Sequence, residues 1–410
     1  MTGMLILGLI IFLGFISGEV AKKIGLPKVT GFILAGIILN PRLTHIVPAD
    51  FTEHTDLVIN IALAFITFEV GGTLHYSKIK KLGKAITYIT FFEGEFAFLI
   101  TAAGIALVCP LFVHLSGANW SAAFIPIGLL MGSLASPTDP SATLAVVHEY
   151  KAKGPVTSTI MGIAALDDTL GIINFSIATA ASSILAAHQK LSPLTSFGTP
   201  LYRIFGAIAF GIVIGIIFNF FTVRLLRETE GTLIVAILAM LALSFGISSL
   251  IGVDELLTIM TMGAMVINFN VRKEKIFRVL ERYTDELIFV FFFTLSGMHL
   301  DFTLFLKYLP LALFFVMFRA SGKISGAVLG AAAAKSSQKI KKYAWGGLIP
   351  QGGIVIGLAL LIKQNPAFTS FSDIIISIII GATVVHEIIG PLISKRMIQA
   401  AGEIEKSNHT

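Results

Sequence analysis

Apolar runs dominate the chain from end to end, separated by short polar connections. Crossing the hydrocarbon core of a bilayer takes about 20 predominantly apolar residues, and on that measure the pattern predicts thirteen membrane helices, at about residues 3–21, 27–41, 54–75, 83–112, 119–149, 154–187, 200–224, 230–251, 254–270, 281–299, 308–334, 342–363 and 370–397. The expected architecture is an all-α membrane protein in a single transmembrane unit, residues 1–410, with no soluble regulatory domain. The first run, Met4 to Ile16, is followed rather than preceded by basic residues, Lys22 and Lys23. That order is the reverse of a cleavable leader, so the run is expected to remain as the first span.

Charge orients these spans. Of 30 Lys and Arg, 23 fall in the odd-numbered connections and the C-terminal tail, and five (Arg42, Lys190, Arg203, Lys307 and Lys363) in the even-numbered ones. The last two, Arg319 and Lys323, lie inside a span. A missed or invented helix would scramble so strict an alternation, and the positive-inside rule places the N-terminus outside and the C-terminus in the cytoplasm.

Composition agrees with this picture. With 55% hydrophobic residues, 13% charged and a mean hydropathy of +0.87, the chain cannot be a soluble globule, whose charged share is about a quarter. The lipid bilayer is its surroundings, and the net charge of +6 reflects cytoplasmic loops rather than a nucleic-acid partner. A single cysteine, Cys109, offers neither a disulfide nor a thiolate metal site. The histidines lack ligand spacing, and no glycine-rich phosphate loop is evident. An enzyme is therefore not expected, nor a cofactor.

Two spans are broken. The fifth contains Ser136-Pro137-Thr138-Asp139-Pro140, where prolines remove backbone donors and turn the residues before them away from helix. The twelfth contains Ile349-Pro350-Gln351-Gly352-Gly353. The interruptions are seven spans apart, and an odd interval inverts one relative to the other. This predicts inverted-topology repeats, approximately 3–187 and 230–397 with a linker helix at 200–224, whose discontinuous helices cross at the midplane, a recurring transporter design.

Carboxylates in mid-membrane are costly and tend to face a cavity or a partner. Asp167 and Asp168 sit near the middle of the sixth span. Adjacent helical residues point about 100° apart, so one can meet a fixed counter-charge while the other meets a substrate cavity. Asp139 lies in the first break, where a helix N-terminus favours an anion; it either neutralises helix ends or joins an ion site with Thr138. Lys323 and Arg319 share a face of span eleven. Lys323 is a natural partner for one aspartate, whereas Arg319 stays charged throughout and reads as structural. Ser136 and Gln351, within the breaks, are secondary candidates. Glu19, Glu69, Glu93, Glu95, His386 and Glu387 either line a path or, for the most part, serve helix–helix contacts or snorkelling.

A Thr-Asp-Pro break in one helix, an Asp-Asp pair in the next and a Lys five spans later resemble the monovalent cation/proton antiporter superfamily, in its electrogenic Asp-Asp, sodium/proton antiporter-like branch. Leu26-Pro27 followed by Gly31-Phe32-Ile33-Leu34-Ala35-Gly36, and Gly390-Pro391, extend the resemblance over essentially the whole chain. It implies a homodimer in which six core helices, approximately 83–187 and 308–397, move as an elevator against scaffold helices, approximately 3–75 and 200–299. It further implies that Asp168 is the alternating cation and proton ligand, that Asp167 is the partner of Lys323, and that Thr138 and Asp139 are the contribution of the crossing helix. Glutathione-gated potassium efflux relatives carry Gln where Asp167 stands, together with a nucleotide-binding tail, and the electroneutral branch carries Asn there.

The expected function is exchange of a monovalent cation, Na+ before K+ or Li+, for protons across a bacterial plasma (inner) membrane. Its nearest rival is a K+/H+ antiporter or potassium efflux protein, since all of these are oxygen sites differing in size and ligand number. A sodium-coupled organic-anion carrier also uses crossed broken helices, but an acidic pair opposed by one lysine suits cations better. An intramembrane aspartyl protease needs two carboxylates converging on one water, and neighbours at i and i+1 diverge.

Overall fold

In the computed structural model, residues 3–404 are described except 25, 27, 49–50, 52–54, 114–118, 140–142, 144–145, 148–149, 187–197, 225–228 and 284. Pro27, Pro140, most of the second half of the span expected at 119–149, and the loops around Lys190 and Arg227 lie outside the described residues.

The described chain is helical throughout. Helix α1 is Gly3–Lys23 and α2 is Lys28–Ile38; α3 is Asp56–Thr73 and α4 is Tyr76–Phe112. A π-helical turn at Trp120–Phe124 leads into α5, Ile125–Ala135. Then come α6, Pro155–Ala186, α7, Thr199–Arg224, α8, Glu230–Ile251, and α9, Glu255–Phe269. Lys273–Tyr283 is α10, Asp285–Met298 is α11 and Leu309–Ala333 is α12. Gly353–Gln364 is α13 and Ser372–Ala400 is α14.

Local sequence sets these limits. Gly83, with φ at 81°, separates a polar lead-in of α4 from its apolar span; only glycine adopts that conformation without a Cβ penalty. Gly252, at φ 71°, ends α8, and the Asp254 side chain accepts from the Leu257 amide at 2.8 Å to start α9. Helix α10 buries Ile276, Val279 and Leu280 while its charged residues face outward. It is an amphipathic surface helix, and with Arg272 it carries the five basic residues of the ninth connection.

Among the described residues, eight helices are long and apolar enough to cross a membrane. The other five expected spans fall on shorter apolar helices, α2, α5, α9, α11 and α13. Burial divides them into layers: 78% of the most apolar stretch of α14 is enclosed, against 28% in α1, α7 and α8. The latter three therefore lie at the periphery and turn their apolar faces to lipid.

Small residues let helices touch along their backbones, the recurrent packing device where lipid removes the hydrophobic drive between helices. A Cβ on Gly71 of α3 would meet the Met260 carbonyl of α9 at 2.1 Å, and one on Gly36 of α2 would meet the Thr294 carbonyl of α11 at 2.0 Å. On α12, Gly322, Gly326 and Gly330 form a stripe against α4, where a Cβ on Gly326 would stand 2.6 Å from the Glu93 Cα. That contact brings Lys323 into the middle of the core.

Candidate functional site

The two breaks meet inside the protein. After α5 the chain runs non-helically through Pro137, Thr138 and Asp139, and before α13 it runs through Pro350, Gln351 and Gly352. The Asp139 amide donates to the Pro350 carbonyl at 3.1 Å, joining the two segments directly. Gln351 Nε2 donates to the Leu134 carbonyl at 2.6 Å, closing the last turn of α5. Ser136 Oγ donates to the Gly94 carbonyl and accepts from Asn174 Nδ2, both at 3.0 Å, tying the break to α4 and α6.

Two cations from α12 serve this crossing. The Arg319 guanidinium donates to the carbonyls of Ile349 at 2.6 Å, Pro137 at 2.9 Å and Pro350 at 3.3 Å. It thus satisfies backbone acceptors that the breaks release, where an unpaired polar group costs several kcal/mol. Lys323 Nζ donates to the Ser136 carbonyl, to Thr138 Oγ1 at 2.9 Å and to Asp167 Oδ2 at 3.0 Å. Its ammonium also lies 2.6 Å from Glu93 Oε2, and Lys323, Asp167 and Glu93 are all 0% exposed.

The neighbouring aspartates face different surroundings. Asp167 turns to Lys323, whereas Asp168 lines a cavity of about 570 Å³ together with Thr138, Asp139 and Gly352. The buried Oδ1 of Asp168 has no hydrogen-bond partner among the described residues. Asp139 sits at the start of α13, where a Cβ on Gly352 would stand 2.2 Å from Asp139 Oδ2; the residues that follow it in its own span lie outside the described residues. A carboxylate there complements the positive end of the α13 dipole. Thr138 thus faces both Lys323 and the cavity.

The lining of the cavity includes Lys22, Lys28 and Glu286. Lys28 pairs with Glu19 at 2.8 Å and also with Glu286. Glu69 and the rings of Phe32, Phe289 and Phe293 form part of the wall. A second cavity of about 410 Å³, lined by Asn60, Ser176, Arg203, Asp254, Glu255 and Gln364 among others, has no Asp168 in its lining. Of these two cavities, Asp168 lines the first.

Glu93 is fully enclosed beside Lys323, a contact between α4 and α12 rather than a snorkelling side chain. The Gly322, Gly326 and Gly330 stripe was the available signal, since it marks the face of α12 that another helix backbone touches. Glu387 and His386 are buried near the middle of α14, and Glu387 neighbours Asp139 and Thr30. Glu95 is half-buried near Asn174.

The chain is similar to several known proteins. The chain is 24% identical over 214 residues to Na(+)/H(+) antiporter 1 of Methanocaldococcus jannaschii, covering 52% of this chain and 46% of that protein. It is 26% identical over 317 residues to the Na(+)/H(+) antiporter NhaP of Pseudomonas aeruginosa, covering 70% of each. The match to the first of these spans about half the length of the relative. The solved structure of the sodium proton antiporter MjNhaP1 from M. jannaschii at pH 8 superposes with a TM-score of 0.75 at 21% identity, covering 96% of this chain and 97% of that one, and so shares the fold. The family described as sodium/hydrogen exchanger, transmembrane, matches residues 8–399. With that match running through both breaks, the Asp167-Asp168 pair and Lys323, the chain belongs to the sodium/hydrogen exchanger family, within the monovalent cation/proton antiporters.

Proposed function

We propose that this protein is a secondary antiporter exchanging Na+ for protons, with Asp168 as the site where the two compete. The observation that carries this reading is the division of labour within the pair: Asp167 is bound to Lys323, while of the two only Asp168 lines the cavity. Thr138 and Asp139 stand in the same lining and complete an oxygen-rich floor suited to a cation. The two carboxylates diverge, so they have no common water to activate, and the relatives compared above are named as antiporters.

Competition needs no separate coupling device. A cation or a proton neutralises Asp168, and the empty charged site crosses poorly because burying an uncompensated charge is expensive. Asp167, where relatives of other branches carry Asn or Gln, favours the electrogenic Asp-Asp branch. Two inverted halves are supported by the paired crossings: the second helix of each half touches the third of the other through glycines, Gly36 with Gly297 and Gly263 with Gly71. On this division the core and scaffold follow the ranges expected from sequence, and core movement exposes Asp168 alternately to the two sides. A homodimer in the plasma membrane, with the cavity open to the cytoplasm, completes the reading; the basic residues around the mouth support that orientation.

Proton flux in proteoliposomes tests the assignment. Wild type should dissipate a pH gradient on addition of Na+, and comparison with K+ and Li+ gives the selectivity. Asp168→Asn should reduce the flux to that of empty liposomes. Undiminished Na+-dependent flux in Asp168→Asn would remove Asp168 from the mechanism.

A further inference from the structure

The ammonium of Lys323 has three N–H groups but faces four oxygens: the Ser136 carbonyl, Thr138 Oγ1, Asp167 Oδ2 and Glu93 Oε2. Two of the four are carboxylates, both fully buried, and one lysine balances only one negative charge. An extra buried carboxylate is expensive to keep ionised, so the cluster favours a state with one proton on either Asp167 or Glu93. The charged groups facing Glu93 are Asp167 from α6 and Lys323 from α12, with Arg319 one turn earlier on α12.

The two carboxylates differ in their freedom to move. The α4 backbone at Glu93 is locked to α12 by the glycine stripe, with Gly326 against Phe92 and Glu93 and Gly322 against Ala97. Glu93 and Lys323 therefore travel together. Asp167 comes from α6 and shares its backbone with Asp168, the residue that meets the cavity.

We propose that Glu93 is a second proton carrier of the exchanger, holding a proton while Asp167 neutralises Lys323 and releasing it when Asp167 turns toward a bound cation. In the proton-loaded state Asp168 and Glu93 are both protonated and Asp167 pairs with Lys323. When a cation binds at Asp168 with help from Asp167, the O–H bonds of Asp168 and Glu93 break and both protons leave to the water of the cavity. The Glu93 carboxylate then takes over the ammonium. Lys323 stays charged throughout, and each cation displaces two protons, which makes the cycle electrogenic. This rests on the assignment of Asp168 as the exchange site.

The test counts protons. Purified protein in weakly buffered detergent solution is titrated with NaCl, and the protons released per Na+ bound are read with a pH indicator. Wild type should release two and Glu93→Gln one, while Glu93→Asp, which keeps a carboxyl on a shorter arm, should return toward two. In proteoliposomes, exchange by Glu93→Gln should lose its response to an imposed membrane potential while keeping its response to a pH gradient. Release of two protons by Glu93→Gln, of one by wild type, or failure of folded Glu93→Gln to bind Na+ would each overturn the Glu93 role. None of these outcomes removes Na+/H+ exchange at Asp168, which fails instead if Asp168→Asn still exchanges.

Discussion

Arg319 shows how a charge can be buried for the sake of the backbone. Its three acceptors, the carbonyls of Pro137, Ile349 and Pro350, belong to the two segments where helical hydrogen bonding stops. Water satisfies such groups in a soluble protein, whereas here a planar fork of donors reaches both segments at once. Arg319→Gln leaves acceptors unpaired and should lower stability by about 3–5 kcal/mol, the range found when one side of a buried charged contact is removed. Thermal unfolding in detergent checks this, and Arg319→Gln melting with wild type would show that the carbonyls have other donors. The sequence carried part of this picture: two cations one turn apart in an apolar span must face something polar, and the two prolines marked where free carbonyls would be. It did not carry Glu93. A carboxylate ten residues into an apolar span, counting from Gly83 and with Glu95 two positions on, fits many contacts, and its partner lies 230 positions away in the chain.

Helix ends hold a comparable device. The α6 helix, bearing Asp167 and Asp168, begins at Pro155 with amides that no earlier turn accepts. Glu403, just beyond α14, supplies the acceptors: its carboxylate takes the Val156 amide at 2.8 Å and the Thr157 amide at 2.7 Å, plus the Thr157 hydroxyl at 2.7 Å. A carboxylate at this end also complements the helix dipole. Glu403→Ala should therefore weaken the first turn of α6 by about 1–2 kcal/mol. Faster hydrogen exchange at the Val156 and Thr157 amides, with little change in the middle of α6, is the expected outcome, and unchanged exchange there would deny the cap. Span placement was legible at this scale because lipid forces every backbone group into a helix, so apolar run length fixes the elements. Helix ends were less so. The span expected at 27–41 contracts to α2, Lys28–Ile38, because Asn40 and Pro41 open a separate short turn. The cap by Glu403 joins segments nearly 250 positions apart, which no local pattern encodes.

Across the whole molecule, the two cavities lie on opposite sides of one barrier. Asp168 lines the first, and Ser176, eight positions further along the same α6 helix, lines the second. A helix rises about 1.5 Å per residue, so roughly 12 Å of α6 separates the two compartments. If the proposed core carries Asp168 across that distance relative to the scaffold, contacts between core and scaffold at the second cavity must break in every cycle. Asn60 of α3 and Gln364 of α13 form such a contact, exchanging amide hydrogen bonds at 3.0 and 3.3 Å. They fall on opposite sides of the proposed division. Cys109 is buried and is the only cysteine in the chain, so Cys109→Ala gives a background in which Asn60→Cys and Gln364→Cys can be joined by a short bis-thiol cross-linker. Cross-linking should stop Na+-dependent proton flux, while the unlinked double variant transports. A cross-linker with a reducible bond adds the control, because cleavage should restore flux to the same molecules. Full transport in the linked protein would mean that α3 and α13 keep their distance throughout the cycle, and access to Asp168 would then have to alternate by local gating around a stationary core.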